Sequence, residues 1–231
     1  SVIIAAGNYS IMLDQFTGAL GLQPILGGLH EMLSSYGIVV KQELMLDPQN
    51  EPFPVPVIRD LGGIQVREIQ AVNYPFFVDI RPDGMDRASP ILANMSALTL
   101  HWASPITWDE ASNSDREVTV LLRSSNESWT TQNANVQPDL VLYPEYGFPV
   151  GSEQESHILA VSVQGQFESY FADQASPLQS DNEDPGEEIS QDPATIGTLE
   201  SSPANTQLVV IGSAEFLNDL VFDMSASLSG D

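Results

Sequence analysis

Apolar residues fall in two rhythms along this chain. The first is a set of short unbroken runs: Val2 to Ala6, closed by Gly7, then Ile158 to Val163, and Leu208 to Ile211, closed by Gly212. Runs of this length predict strands buried on both faces. The second rhythm is helical. Leu26, Leu29, Met32, Leu33 and Tyr36 recur on one helix face, and Gly37 stands where a left-handed cap ends a helix. Ile38-Val39-Val40 then restarts an extended segment. Ala97 to His101 and Arg116 to Arg123 predict further strands, the second with Val118, Val120 and Leu122 alternating with Glu117, Thr119 and Leu121. Near the end, Phe216, Leu217, Leu220, Val221 and Met224 mark one face of a helix, with Ser213 as its N-cap and Glu215 in the first turn. Strand, helix, glycine, strand is the order of an α/β sheet. The expected fold is therefore α/β, a mixed, largely parallel central sheet flanked by helices.

Two stretches break these rhythms without dividing the chain, which reads as a single α/β domain over 1–231. Residues 47–92 carry Pro48, Pro52, Pro54, Pro56, Pro75, Pro82 and Pro90 among β-like pieces such as Ile64 to Val72 and Phe76 to Ile80. Prolines this dense exclude long helices and predict a β excursion of edge strands or hairpins. Residues 173–205 turn to Ser, Pro, Gly, Gln and acids, with six acids between Asp181 and Asp192. That composition offers too little apolar surface to offset ordering entropy, so an acidic mobile loop is expected.

Charge narrows the function more than hydropathy does. Thirty-two acids face seven bases, for a formal charge of −25. Nucleic acids need clustered Lys and Arg, so this surface excludes them and repels anionic lipid headgroups as well. Cysteine is absent, which removes disulfides, thiolate metal sites and thiol nucleophiles. No stretch approaches the roughly 18 apolar residues of a membrane span. The strand-like opening at Ser1, without an initiator Met, reads as a cut from a longer protein.

Motifs that carry chemistry are missing: no Gly-x-Ser-x-Gly elbow, no Ser-x-x-Lys and no phosphate-cradling glycine loop. His30, His101 and His157 stand apart in sequence and read as structural or surface histidines. No cofactor is implied. The residues with a shape suited to contacts are aromatic. Trp102, Trp108 and Trp129 lie in or beside expected loops, as do Tyr143 and Tyr146, and such rings suit a saccharide or a protein partner. Two other readings stay open. One is a saccharide hydrolase using two carboxylates; the other is a calcium-dependent module using the acidic cluster at 181–192.

Five segments resemble the auxiliary component of gliding-motility-type (GldG-like) ABC transporters. They are Leu33-Ser34-Ser35-Tyr36-Gly37-Ile38-Val39-Val40 with Leu44-Met45-Leu46-Asp47-Pro48-Gln49; Ala103-Ser104-Pro105-Ile106; Leu121-Leu122-Arg123-Ser124-Ser125-Asn126-Glu127-Ser128-Trp129; Leu159-Ala160-Val161 through Gly165-Gln166-Phe167-Glu168-Ser169-Tyr170-Phe171; and Val209-Val210-Ile211-Gly212-Ser213-Ala214-Glu215-Phe216-Leu217. The chain departs at Ser213, where that family usually carries an acid directly after the glycine. The resemblance implies a flavodoxin-like, amidotransferase-like fold and a non-enzymatic domain at the extracytoplasmic face of the membrane, tethered through segments outside this chain. Its implied partners are the permease and ATPase subunits of an ABC transporter, envelope proteins, or a saccharide. It transfers no site residues.

Overall fold

The computed structural model describes residues 1–14, 19–60, 62–172 and 199–222. Strands dominate: about 40% of the described residues are extended and 9% helical, with the strands spread over several small sheets. In chain order the elements are β1 (Val2–Ala5), β2 (Tyr9–Leu13), β3 (Leu20–Pro24), α1 (Leu29–Ser35), β4 (Ile38–Val40), β5 (Leu44–Leu46), β6 (Asn50–Asp60) and β7 (Gln65–Ile80). There follow β8 (Leu98–His101), β9 (Ile106–Trp108), β10 (Glu117–Arg123), β11 (Trp129–Thr131), β12 (Ile158–Gly165) and β13 (Thr206–Ile211).

The expected helix-flanked, largely parallel sheet is overturned. The largest sheet has four strands in the order β1-β13-β12-β10, and only β1 and β13 run parallel. β12 pairs antiparallel with both of its neighbours. Long apolar runs mark strands covered on both faces, and the inference from cover to parallel pairing failed because mostly strands, with the single short helix α1, are what covers them. One face packs on α1, β4 and β9 through Leu33, Ile38, Val40, Ile106, Val161, Val163, Leu208 and Val210. The other packs on β7 and β8 through Val78, Ile80, Leu100, Leu122, Leu159 and Ala160. A strand layer supplies the cover that the pattern assigned to helices.

β1 is also less enclosed than its run of apolar residues predicts. It is an outer strand, with Val2 and Ile3 exposed. α1 ends as expected, with Gly37 at φ +73° and a Cβ there set to meet Asn113 and Ser112 at 2.7 Å. The helix expected after Ser213 starts as a 3-10 turn at Glu215–Leu217, with residues 219–222 helical, and Met224 lies outside the described residues. The expected acidic loop lies outside them too, up to residue 198.

Within 47–92 stand β6 and β7, an antiparallel hairpin, with β8 added to β7 in the order β6-β7-β8. Pro52, Pro54 and Pro56 recur every second residue, which places their missing N–H groups on one edge of β6. β6 is an outer strand, so the ladder to β7 is untouched while the open edge loses the donors that would recruit another strand. At the base of the hairpin an aromatic cluster of Phe53, Tyr74, Phe76, Phe77, Trp102 and Phe148 forms the second centre of the core.

Candidate binding site

Two of the segments read as family-like in the sequence meet in space. β5, with Leu44, Met45 and Leu46 all buried, pairs antiparallel with β11, placing Leu46 opposite Trp129. Each strand continues into, or emerges from, a polar turn, so Asp47-Pro48-Gln49 lies against Ser124-Ser125-Asn126. Asp47 is fully buried, and its carboxylate ties the turns together. One oxygen accepts the Ser125 N–H at 2.7 Å; the other accepts the Ser125 hydroxyl at 2.7 Å and the Gln49 N–H at 2.8 Å. Burial pushes the Asp47 carboxyl above the ordinary carboxylate range, while the Ser125 and Gln49 donors pull against it.

The second turn has its own local logic. The Ser125 hydroxyl also accepts the Glu127 N–H at 3.2 Å, a serine-led turn, and β10 reaches it through register shifts between Val120 and Arg123. The 3-10 turn Pro82–Gly84 closes the far side. A Cβ on Gly84 would stand 2.5 Å from the Arg123 carbonyl oxygen, so this contact demands glycine. Between these parts lies a cavity of about 230 Å³ lined by Gln49, Asp83, Gly84, Arg123, Ser124, Ser125, Asn126 and Ser156. Gln49 is held by donating through Nε2 to the Asp79 carbonyl at 2.5 Å.

Behind the cavity is a group that resembles a hydrolytic triad by composition alone. Ser128 Oγ is 3.3 Å from His157 Nδ1, and His157 Nε2 is 3.7 Å from a Glu155 carboxylate oxygen. Two facts disarm it. Ser128 is fully buried, so no substrate carbonyl can reach its hydroxyl. His157 Nδ1 also lies 2.8 Å from the Glu155 carbonyl, an acceptor only, and so carries its proton there. A protonated nitrogen cannot take a proton from serine. Ser128 instead bonds the Glu155 carbonyl at 2.6 Å and Ser124 Oγ at 2.7 Å, which holds the turn in shape.

The aromatic residues named from sequence are scattered. Trp102 is buried at φ +45°, an unusual conformation for a residue with a Cβ, and donates through Nε1 to Tyr74 Oη at 3.2 Å. Tyr74 passes the bond on to the Val136 carbonyl at 2.8 Å. Trp129 is buried over Gly151, where a Cβ would meet its ring at 2.9 Å. Trp108 is half-buried against the first core face. Tyr143 and Tyr146 are also half-buried, and Tyr146 stacks obliquely near Trp129 with centroids 6.0 Å apart. The structure does not bring the five into one surface, and none lines the cavity. The cavity's lining supplies a single carboxylate, Asp83, rather than a facing pair. Among the described residues no cluster of three or more His, Asp or Glu is placed to hold a metal ion, and the acidic stretch 181–192 lies outside them.

A family model described as an ABC-type uncharacterized transport system matches residues 1–231. The chain belongs to that family. A protein of Borreliella burgdorferi bearing the name "Uncharacterized protein" is 24% identical over 159 residues, which is 68% of this chain and 29% of that protein. The chain thus spans less than a third of that relative's length. No solved structure matches it. Within this ABC-type transport family chain, the cavity residues Gln49, Arg123 and Asn126 sit in the quoted segments, yet nothing singled them out as a site. The signal was available in the pairing of a short apolar strand ending in Asp-Pro with a Ser-Ser-x-x-Ser turn. Only the β5–β11 ladder shows that the two belong together. Asp83 carried no signal at all.

Proposed function

We propose that this chain is a non-enzymatic binding domain of the auxiliary component of an ABC transport system. The observation that carries the reading is the family match across residues 1–231. It is supported by a polar cavity whose serines and buried carboxylate are committed to holding the turns, which leaves them unsuited to nucleophilic work. The finer reading is a gliding-motility-type component, held at the extracytoplasmic face of the membrane by parts of the longer protein. There it contacts the permease, and through it the ATPase, or another envelope protein, with Trp108, Tyr143 and Tyr146 offering ring surface to a partner. No helix among the described residues is long and apolar enough to cross a membrane.

The test is to express the full-length gene product with an affinity tag, solubilise the membrane gently and identify what copurifies. An ABC permease and its ATPase in stoichiometric amounts are expected, and their absence sinks the transport reading. Protease added to intact cells should clip the domain if it faces outward. Protection until the membrane is opened would place it on the other side.

A further inference from the structure

We infer that the cavity bounded by Gln49, Asp83, Arg123 and Asn126 binds a small carboxylate that also carries hydroxyl or ammonium donors, with Arg123 as its anchor. The inference deepens the reading of this chain as a binding domain and rests on it. Bases are scarce here, seven against thirty-two acids, and the described ones are mostly spoken for. Arg81 pairs with the Asp79 carboxylate. Arg87 donates to the Leu92 and Met95 carbonyls at 3.2 and 3.1 Å. Arg116 donates to the Ser112 carbonyl at 2.5 Å and lies over the Phe167 ring. Arg123 differs: among the described residues its guanidinium has neither an ion pair nor a hydrogen bond, a state it shares with the Lys41 ammonium, but of these two bases only Arg123 lines the cavity, which also contains Asp83.

An arginine and an aspartate that share a cavity without pairing leave a cation and an anion for something between them. The free donors are the Arg123 guanidinium and the Asn126 amide. The free acceptors are the Asp83 carboxylate and Gln49 Oε1, whose amide nitrogen is already engaged. The Ser124 and Ser125 hydroxyls are committed to Ser128 and Asp47 and act as walls. A guanidinium's planar fork matches a carboxylate with two parallel bonds. Asp83 then requires donors on the rest of the ligand. It also disfavours a dianion such as phosphate, as does the chain's formal charge of −25. A volume of about 230 Å³ lies below the roughly 300 Å³ at which drug-sized pockets begin, which limits the ligand to a monosaccharide or amino acid in size. Sugar acids and amino acids both carry this chemistry, and the experiment separates them.

The 231-residue chain is titrated, at millimolar ligand and followed by NMR, with D-glucuronate, L-alanine, D-glucose and inorganic phosphate. Saturable shifts at the Arg123 Nε–H and Asn126 amide with glucuronate identify a sugar-acid site, and with alanine an amino-acid site. Binding should fall at least about tenfold in Arg123→Met, the loss expected of one charge-assisted pair. Asn126→Ala should weaken it less, and thermal melting of both variants reports whether they remain folded. Three results overturn the inference: no saturable shift with either carboxylate, glucose or phosphate binding as tightly as both carboxylates, or undiminished binding in folded Arg123→Met. A full-length protein that recovers its permease and ATPase while this chain fails to bind a carboxylate fails this inference alone. Carboxylate binding without the transporter subunits fails the transport reading alone.

Discussion

The aromatic cluster around Trp102 and the polar cavity around Arg123 bury polar atoms by opposite means. In the cluster, rings do the enclosing, and one chain of bonds from Trp102 Nε1 through Tyr74 Oη to the Val136 carbonyl satisfies part of what they trap, while Trp129 Nε1 stays buried without a partner. His101 lies against Phe77, ring centroids 4.4 Å apart, and both its nitrogens are buried without a partner. At the cavity, short side chains answer backbone groups at close range, Asp47 alone accepting three hydrogen bonds. The first arrangement is sealed and leaves no room for a ligand. The second is braced from behind and stays open in front. Aromatic residues are the natural candidates for a binding face in a sequence, yet in this fold Trp102 and Trp129 serve the core, and the open concave surface is built from serine, asparagine, glutamine, glycine, one aspartate and one arginine.

The sharpest way to break this contrast is Trp102→Ala. Loss of a fully buried tryptophan should cost about 3–5 kcal/mol, a large part of the roughly 5–15 kcal/mol that stabilises a domain, and urea denaturation would read it. A loss below about 1 kcal/mol would mean that the cluster is not the structural centre described here.

His101 gives the next effect, and its sign follows from burial. Enclosure among rings disfavours the imidazolium and lowers the His101 pKa from 6.5 to about 4. Between those values an unfolded chain takes up a proton that the folded one refuses, so stability falls as pH drops from 6.5 towards 4, by up to about 3 kcal/mol. His101→Phe should flatten that part of a stability–pH curve. An unchanged slope would place the titrating group elsewhere. Asp47 pulls the other way: its raised pKa favours the folded state at low pH, and that contribution is lost as pH rises from 3.8 through the folded value.

On the cavity side, Asp47→Asn should cost about 1–3 kcal/mol, because an amide replaces one of two accepting oxygens and turns a donor towards Ser125. Faster amide exchange at Ser125 and Gln49 would accompany the loss. The smallest effect is expected at Arg123. It is exposed and without a protein partner among the described residues, so Arg123→Met should leave stability within about 0.5 kcal/mol. A larger loss would move Arg123 from the open surface to the supporting framework.

Much of the strand content was legible in the sequence. Ile38–Val40, Leu98–His101, Glu117–Arg123 and Ile158–Gly165 all coincide with apolar runs or alternations, and Gly37 marked the end of α1. Of the three-residue strands, β4 was legible only because its apolar run restarts directly after the Gly37 stop; β5, β9 and β11 have no such marker, and so short a segment has no measurable period. Strand direction was hidden for a different reason. An apolar run reports that a strand is covered, but not by what, nor which way its neighbour runs.

What the sequence determined by itself was the inventory: an acidic, cysteine-free chain with strands punctuated by proline and glycine, a helix ending at Gly37 and no catalytic motif, whereas its second expected helix is a 3-10 turn followed by helical residues 219–222 among the described residues. Those properties depend on composition and on neighbours a few residues apart. Tertiary structure alone decided the antiparallel sheet and the burial of Trp102 and Trp129. It also decided the meeting of Asp47 with Ser125, which are separated by 78 residues. Such contacts are settled by which surfaces can be covered at the same time, a competition over the whole chain that no local pattern records.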